Sequence, residues 1–186
     1  MPRRPALLAL LFPLLLAGCR RPAGEVLVAP GVPFQLCPPE DGPDLFVTQE
    51  VVFHLPGGRR ETALAVIENG GGTLNLVAST PMGQTLFVVR VHGTAATVDA
   101  RVALPEGLDP RVLVALVEFA LWPAEAVGRN LAAGIRFEQD GGRRTLLRNG
   151  KVVWTVTRDG EAPPYDRLML LNPALGLGVD IRTVRE

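Results

Sequence analysis

The side chains that most often carry out catalysis are few and isolated in this sequence. Ser79 is the only serine among the 186 residues, and Thr80 and Pro81 follow it in place of the glycine of a nucleophile elbow. The two histidines, His54 and His92, belong to no metal-binding motif, and the acidic residues show no metal-ligand spacing. We therefore predict no catalytic residues, no metal and no cofactor, and we expect a protein that is not an enzyme.

The two cysteines differ in their surroundings. Cys37 stands alone beside two prolines, where a small buried side chain is favoured over a reactive thiol. Cys19 ends the stretch Leu16-Ala17-Gly18-Cys19, which follows Arg3, Arg4 and an apolar run over residues 6–17. That run has the length of a signal-peptide core and is too short to span a bilayer as a helix.

The stretch ending at Cys19 resembles the lipobox of bacterial lipoproteins, in which the cysteine is lipidated and the preceding signal is removed. The resemblance implies that residues 1–18 are a signal peptide and that Cys19 anchors the mature chain to a membrane through acyl chains such as palmitate. Several acyl chains hold a protein stably at a bilayer. Arg20 follows the cysteine, where an aspartate commonly signals inner-membrane retention in enteric bacteria, so the implied location is the periplasmic face of the outer membrane. The alternative is an N-terminal helix with an incidental cysteine.

Removal of the signal would leave 168 of the 186 residues, enough for one domain with a sizeable core. Without Arg3 and Arg4, 17 of the 19 basic residues remain against 19 acidic ones. A near-neutral chain argues against nucleic acid as a partner. Prolines and glycines are frequent over residues 20–44, which predicts an extended tether over 19–44 that follows the lipidated cysteine. A single domain is then expected over 45–186.

Alternating apolar and polar residues predict an antiparallel meander in the first half of this domain. In the first strand the inner face carries Leu45, Val47, Gln49, Val51, Phe53 and Leu55. Further strands are predicted over residues 60–68, 74–78, 84–91 and about 97–102. The glycine-rich turns between them accept positive φ and favour hairpins. This half is expected to have one apolar face and one solvated face.

A helix interrupts the strands. Asp109 is a good N-cap and Pro110 suits the first helical position. Between residues 112 and 122 the only ionisable residue is Glu118, so the helix either lies between protein layers or faces a cavity for an apolar ligand. A second short helix is predicted over 124–133. Strands then return over 135–139, 143–148, 151–158, 168–171 and 177–184.

This order of elements resembles the LolA and LolB family, which carries lipoproteins across the periplasm and inserts them into the outer membrane. The loop Pro81-Met82-Gly83 is similar to the Pro-Leu-Gly loop of LolB, so Met82 is the implied membrane-insertion residue. Residues 135–137 through Trp154 look like the LolB strand pair joined by an Asn-Gly turn. Residues 36–51 and Leu121-Trp122-Pro123 look closer still to a lipoprotein family of unknown function, found beside aryl polyene or fatty-acid-type biosynthesis genes with a LolA-like carrier.

The resemblance implies a mainly β fold with α (α+β): a curved antiparallel half-barrel of about ten strands with the apolar helical insert as lid. It implies an outer-membrane lipoprotein that binds acyl chains or lipidated cargo in an apolar cavity and aids their transfer or insertion, with a LolA-like periplasmic carrier as a further partner. The predicted lipid-binding residues are Val51, Phe53, Leu64, Val66, Leu74, Leu76, Phe87, Val89, Leu113, Leu116, Phe119, Leu121, Trp122 and Trp154. The alternative is a scaffolding lipoprotein with a filled core that holds a partner protein at the membrane.

Overall fold

The computed structural model describes residues 24–103 and 109–185. The predicted signal peptide, residues 1–18, and the predicted lipidation site, Cys19, lie outside the described residues. The strands, in chain order, are β1 (Glu25–Ala29), β2 (Val32–Gln35), β3 (Leu45–His54), β4 (Arg60–Gly70), β5 (Thr73–Ser79), β6 (Thr85–His92), β7 (Ala95–Ala100), β8 (Ile135–Asp140), β9 (Arg143–Arg148), β10 (Lys151–Asp159), β11 (Arg167–Asn172) and β12 (Leu177–Val184). The helices are α1 (Arg111–Leu121) and α2 (Ala124–Arg129), and short 3-10 turns cover Pro39–Asp41 and Pro56–Gly58.

Ten strands form one antiparallel sheet in the order β7-β6-β5-β4-β3-β12-β11-β10-β9-β8. Two meanders meet where the last strand pairs with the first of the sheet, with Ile181 of β12 opposite Val51 of β3. The edges β7 and β8 do not pair with each other, so the sheet stays open. The predicted fold class, mainly β with helices and an open antiparallel sheet of about ten strands, is confirmed.

Period-two alternation places the apolar row of each strand on the inner face. In β3, Val47, Gln49 and Val51 are buried, whereas the intervening Thr48 and Glu50 are partly exposed. Successive strand side chains point to opposite faces, so this pattern sets the register against the core. The buried rows of neighbouring strands form the floor on which the helices pack.

The structure corrects the expectation of an extended tether for residues 24–44. Strands β1 and β2 form a separate two-stranded hairpin, and Val26, Val28 and Phe34 on it are buried. The Nε1–H of Trp154 donates to the carbonyl of Val28 at 2.8 Å, which fixes the hairpin to the sheet. Proline and glycine content suggested an open chain, but alternating valines supply enough apolar surface for a packed hairpin.

Helix α1 begins as its sequence predicts. The Asp109 carboxylate accepts a hydrogen bond from the Arg111 backbone N–H at 3.0 Å, which satisfies one of the free amides at the helix start. Helix α2 ends at Arg129 instead of 133 because the chain turns to the hairpin: the Asn130 carbonyl accepts from the Gln35 N–H. Leu131 forms a bridge with Phe34. Within the described parts of the chain, neither helix is long and apolar enough to cross a membrane.

Candidate functional site

A cavity of about 640 Å³ lies between the inner face of the sheet and the first turns of α1. This volume falls in the range of small-molecule pockets in proteins. The residues lining it are Gln49, Val51, Phe53, Leu55, Arg59, Glu61, Thr62, Ala63, Leu64, Ala65, Ile67, Leu76, Ala78, Thr80, Leu86, Phe87, Val102, Ala103, Leu113, Leu116, Val117, Leu170, Val179 and Ile181.

The cavity lies where two neighbouring strands of the sheet, β4 and β5, carry small side chains. Ala63 and Ala65 of β4 and Ala78 of β5 line it, and Ala65 pairs directly with Ala78 across the two strands. Protein interiors are normally filled to crystal-like density. A row of methyl groups beneath a helix leaves a gap that larger residues would close.

The structure brings together seven of the fourteen predicted lipid-binding residues as cavity lining: Val51, Phe53, Leu64, Leu76, Phe87, Leu113 and Leu116. Four others lie around the second half of α1, where they are buried in a solid core: Phe119, Leu121, Trp122 and Trp154. Leu74 and Val89 are buried in the sheet outside the cavity wall. Val66 is half-buried and alternates with the inward-facing Ala65 and Ile67. Binding of lipid by any of these residues remains a prediction.

Several lining residues were not among those predicted. Ile67, Leu170 and Ile181 belong to apolar rows that period-two alternation places on the inner face. Their sequence signal was therefore present, but alternation alone does not separate a residue that lines a gap from one that fills the core. Gln49 was predicted on the inner face but not as part of a site.

Apart from Gln49, the polar lining residues lie together at one end of the cavity, which we call its mouth. Thr80 stands at the end of β5, and Arg59 and Glu61 follow the turn between β3 and β4. The guanidinium of Arg59 is 3.2 Å from the Glu61 carboxylate, and both side chains are well exposed. An exposed ion pair of this kind contributes little stability, so it holds the two side chains in place only weakly.

The predicted insertion loop adjoins this mouth. The backbone closes a tight turn in which the Gly83 N–H donates to the Thr80 carbonyl at 2.9 Å, and Gly83 adopts a φ of 86° that favours glycine. Met82 is 97% exposed at the tip. The structure thus places Met82 in solvent next to the cavity, and its role in membrane insertion remains a prediction.

The second half of α1 shows how the rest of the interior is filled. The rings of Phe34 and Phe119 meet edge to face with their centroids 4.8 Å apart. Nη1 of Arg144 donates to the carbonyls of Phe119, Ala120 and Trp122, so a buried cation caps the negative end of the helix. Burial lowers the pKa of Arg144 to about 10, and the guanidinium stays protonated at neutral pH.

Glu118 is fully buried in this filled half. One carboxylate oxygen accepts the Cys37 backbone N–H at 3.0 Å, and Oε1 has no hydrogen-bond partner among the described residues. Burial raises the pKa of Glu118 to about 8, because the charged form loses its hydration. Burial also raises the pKa of the Cys37 thiol far above its usual range, which leaves this cysteine a protonated, unreactive core residue.

The described residues do not bring metal ligands together. In residues 24–103 and 109–185, no three His, Cys, Asp or Glu side chains are close enough together to hold an ion. The cavity wall is apolar except for Gln49 and the groups at the mouth. What the arrangement can do chemically is enclose hydrocarbon, whose burial is favourable by about 25 cal/mol per Å².

Comparison with solved structures finds two similar chains of low sequence identity. A LolA superfamily protein from Nitrosomonas europaea is 9% identical, with a TM-score of 0.47 over 79% of this chain and 88% of that chain. A domain assigned to outer membrane lipoprotein sorting, from Vibrio parahaemolyticus, is 11% identical, with a TM-score of 0.42 over 75% of this chain and 83% of that chain. No curated protein matches this sequence.

A family model matches most of the folded region. Residues 47–185 fit the model described as "Protein of unknown function (DUF3261)". The match spans the sheet from β3 to β12 together with both helices, and it confirms the predicted membership in a family of unknown function. The chain belongs to the DUF3261 family.

Proposed function

We propose that this protein is a lipid-anchored carrier that holds an acyl chain, free or attached to lipidated cargo, in the cavity beneath α1. The cavity of about 640 Å³ is the observation that supports this function most directly. Its wall offers apolar side chains from the sheet and from the helix, and no described cation lies deep inside it. Cargo would be recognised by its hydrocarbon tail, and no covalent bond would form or break.

The proposed location is the periplasmic face of the outer membrane, with Cys19 as the acylated anchor. A LolA-like carrier in the periplasm is the proposed donor of cargo. Incorporation of labelled palmitate into the wild-type chain, and its loss in Cys19→Ser, would support the anchor. Labelling that persists in Cys19→Ser would contradict it.

The number of residues between Cys19 and the first described residue limits how transfer would work. Gly24 lies against the turn at Thr94, at the end of β6 opposite Met82. The eight residues of β6 span roughly 25 Å, and the five residue steps from Cys19 to Gly24 reach about 18 Å at most. Because the strand is longer than this reach, Met82 would enter the anchoring bilayer only if the strands are tilted away from the bilayer normal, and we propose a tilted orientation for the insertion step.

Binding of a fluorescent fatty acid to the chain from Arg20 onward tests the carrier function. This form contains every helix and strand described here, and a cooperative thermal transition would establish that it is folded. Saturable binding at one site is expected. A folded protein that binds no probe would contradict the carrier function and leave the scaffolding alternative.

A cavity-filling variant tests whether the probe binds inside the cavity. Ala78→Phe adds a ring inside the cavity and is expected to weaken probe binding about tenfold or more. A loss of about 1.4 kcal/mol of binding free energy corresponds to a tenfold rise in the dissociation constant. Ala95→Phe adds the same ring on the outer face of β7, opposite the exposed His92, and should leave binding unchanged. Equal binding by both variants would show that the probe sits elsewhere.

A further inference from the structure

The cavity beneath α1 has a limited capacity for hydrocarbon. Its volume is about 640 Å³. A methylene group takes up nearly as much space as a water molecule in the liquid, about 30 Å³, so the cavity has room for about 21 carbons of acyl chain. One tail of about 16 carbons needs about 480 Å³ and fits, whereas two such tails need about 960 Å³ and do not.

The cavity is also long enough for a single tail. Glu61 at the mouth and Ile67 at the inner end both line it, and they are six residues apart on β4, a distance of about 20 Å along an extended strand. The hydrocarbon core of a bilayer is about 30 Å thick, so a lipid tail in one leaflet spans about 15 Å. A tail of this length can lie along β4 with its polar end at the mouth.

Contacts in the filled half of α1 limit how far the helix can move away from the sheet. Nη1 of Arg144 on β9 donates to the carbonyls of Phe119 and Trp122 at 3.0 and 2.6 Å. The Phe119 ring also packs against Phe34 of the N-terminal hairpin. Lifting α1 to admit a second tail would break these buried contacts and leave a buried donor unpaired, which is unfavourable. The volume between helix and sheet is therefore close to the volume that a ligand can occupy.

The charged lining residues lie only at the mouth. They are Arg59 and Glu61, and both side chains are well exposed. A polar headgroup placed beside them stays hydrated, whereas a headgroup drawn into the apolar interior would lose its hydration without gaining a charged partner. The cavity is therefore suited to take the tail of an amphiphile and leave its headgroup in solvent.

From the size of the cavity and the fixed position of α1 we infer that its ligand is an amphiphile with a single tail of no more than about 21 carbons, such as a free fatty acid or a lysophospholipid. A lipid with two or more tails would leave hydrocarbon in water once it left the bilayer, and that exposure is unfavourable. The inference rests on the proposed carrier function and narrows the class of ligand that is carried.

Lipid extraction from vesicles tests this inference on the folded chain from Arg20 onward. Vesicles of dioleoyl phosphatidylcholine contain equal minor amounts of palmitic acid and palmitoyl lysophosphatidylcholine. The protein is separated from the vesicles, and its bound lipid is identified and counted by mass spectrometry. One single-tailed lipid per protein molecule is expected, in at least about tenfold excess over the two-tailed lipid.

The retained lipid decides the outcome. Retention of either single-tailed lipid supports the inference, and its identity distinguishes a free fatty acid from a lysophospholipid. Retention of dioleoyl phosphatidylcholine at one molecule per protein would overturn the inference and leave the carrier function standing. If the folded protein retains no lipid and binds no fluorescent fatty acid, both fail.

The number of carbons that fit is measured with saturated fatty acids of increasing length, which displace the fluorescent fatty acid. Affinity for wild type should rise with each added carbon and stop rising at or below about 21 carbons, where the cavity is full. Ala65→Leu adds three carbons to a lining residue, so affinity should stop rising about three carbons earlier. Ala95→Leu makes the same change on the outer face of β7, opposite the exposed His92, and should keep the wild-type limit.

Two results of this series would overturn the inference. One is an affinity for wild type that continues to rise beyond about 21 carbons. The other is the same limit in wild type and in folded Ala65→Leu, because the cavity would then not set the size of the ligand. If Ala65→Leu does not fold, the wild-type series and the vesicle extraction decide.

Discussion

The two halves of helix α1 face opposite kinds of surroundings. Leu113 and Leu116 in the first half line a cavity, whereas Phe119 and Leu121 in the second half are buried in a filled core. Both halves are similarly apolar in sequence. The difference lies in what is packed against them, because aromatic rings and the N-terminal hairpin fill one end and alanines line the other.

This comparison shows that one apolar helix can be packed in the core at one end and line a cavity at the other. The filled half anchors α1 through the Arg144 cap and the contact of Cys37 with Glu118. With one end fixed, the first half can stand above the alanines Ala65 and Ala78 without collapsing onto them. The filled half therefore keeps the cavity open.

The largest expected effect is a difference in stability between a variant in the filled half of α1 and a variant in the half that lines the cavity. Phe119→Ala should destabilise the fold by about 3–5 kcal/mol, as truncations of large buried side chains do. Leu113→Ala, in a partly exposed residue of the cavity wall, should cost about 1 kcal/mol or less. Urea unfolding of both variants measures the difference, and similar losses would show that the first half is packed as tightly as the second.

The next prediction concerns pH and the filled half. The folded pKa of Glu118, about 8, exceeds that of glutamate in an unfolded chain, about 4.3. The folded state therefore binds the extra proton between these values, and stability falls as pH rises from about 4.3 to 8. Glu118→Gln should remove this contribution and be more stable than wild type at pH 8.

Urea unfolding of wild type and Glu118→Gln at pH 5 and pH 8 checks this slope. The amide oxygen of the variant can still accept the Cys37 N–H, so the comparison isolates the charge. If the stability of Glu118→Gln changes with pH as much as that of wild type, other groups cause the pH dependence.

A smaller loss is expected when the end of α1 loses its cap. Arg144→Met should leave the carbonyls of Phe119, Ala120 and Trp122 without their cation, at a cost of about 2 kcal/mol. Arg143→Met changes the adjacent exposed arginine and should stay within about 0.5 kcal/mol of wild type. Thermal unfolding compares the pair, and equal melting temperatures would mean that the cap contributes nothing.

The smallest effect on stability is expected at the mouth. Met82→Ser should change the free energy of unfolding by no more than about 0.5 kcal/mol, because Met82 makes almost no buried contact. It should nonetheless slow the transfer of fluorescent fatty acid from protein to vesicles. Unchanged transfer would remove Met82 from the proposed insertion step.

Local sequence patterns predicted much of the architecture. Alternation and glycine turns predicted the ten strands of the large sheet, and Asp109 predicted the start of α1. Those features depend on residues close together in the chain. The hairpin at β1 and β2 escaped prediction because its prolines and glycines resemble a linker, and its burial depends on Trp154, far away in sequence.

The sequence by itself determined the strand periods, the turns, the apolar character of α1 and the match of Cys19 to a lipidation motif. Only the tertiary structure decided which end of α1 is packed in a filled core and which end lines a cavity. The physical reason is that a period fixes which face a side chain occupies, whereas filled or empty space depends on the sizes of residues brought together from distant strands.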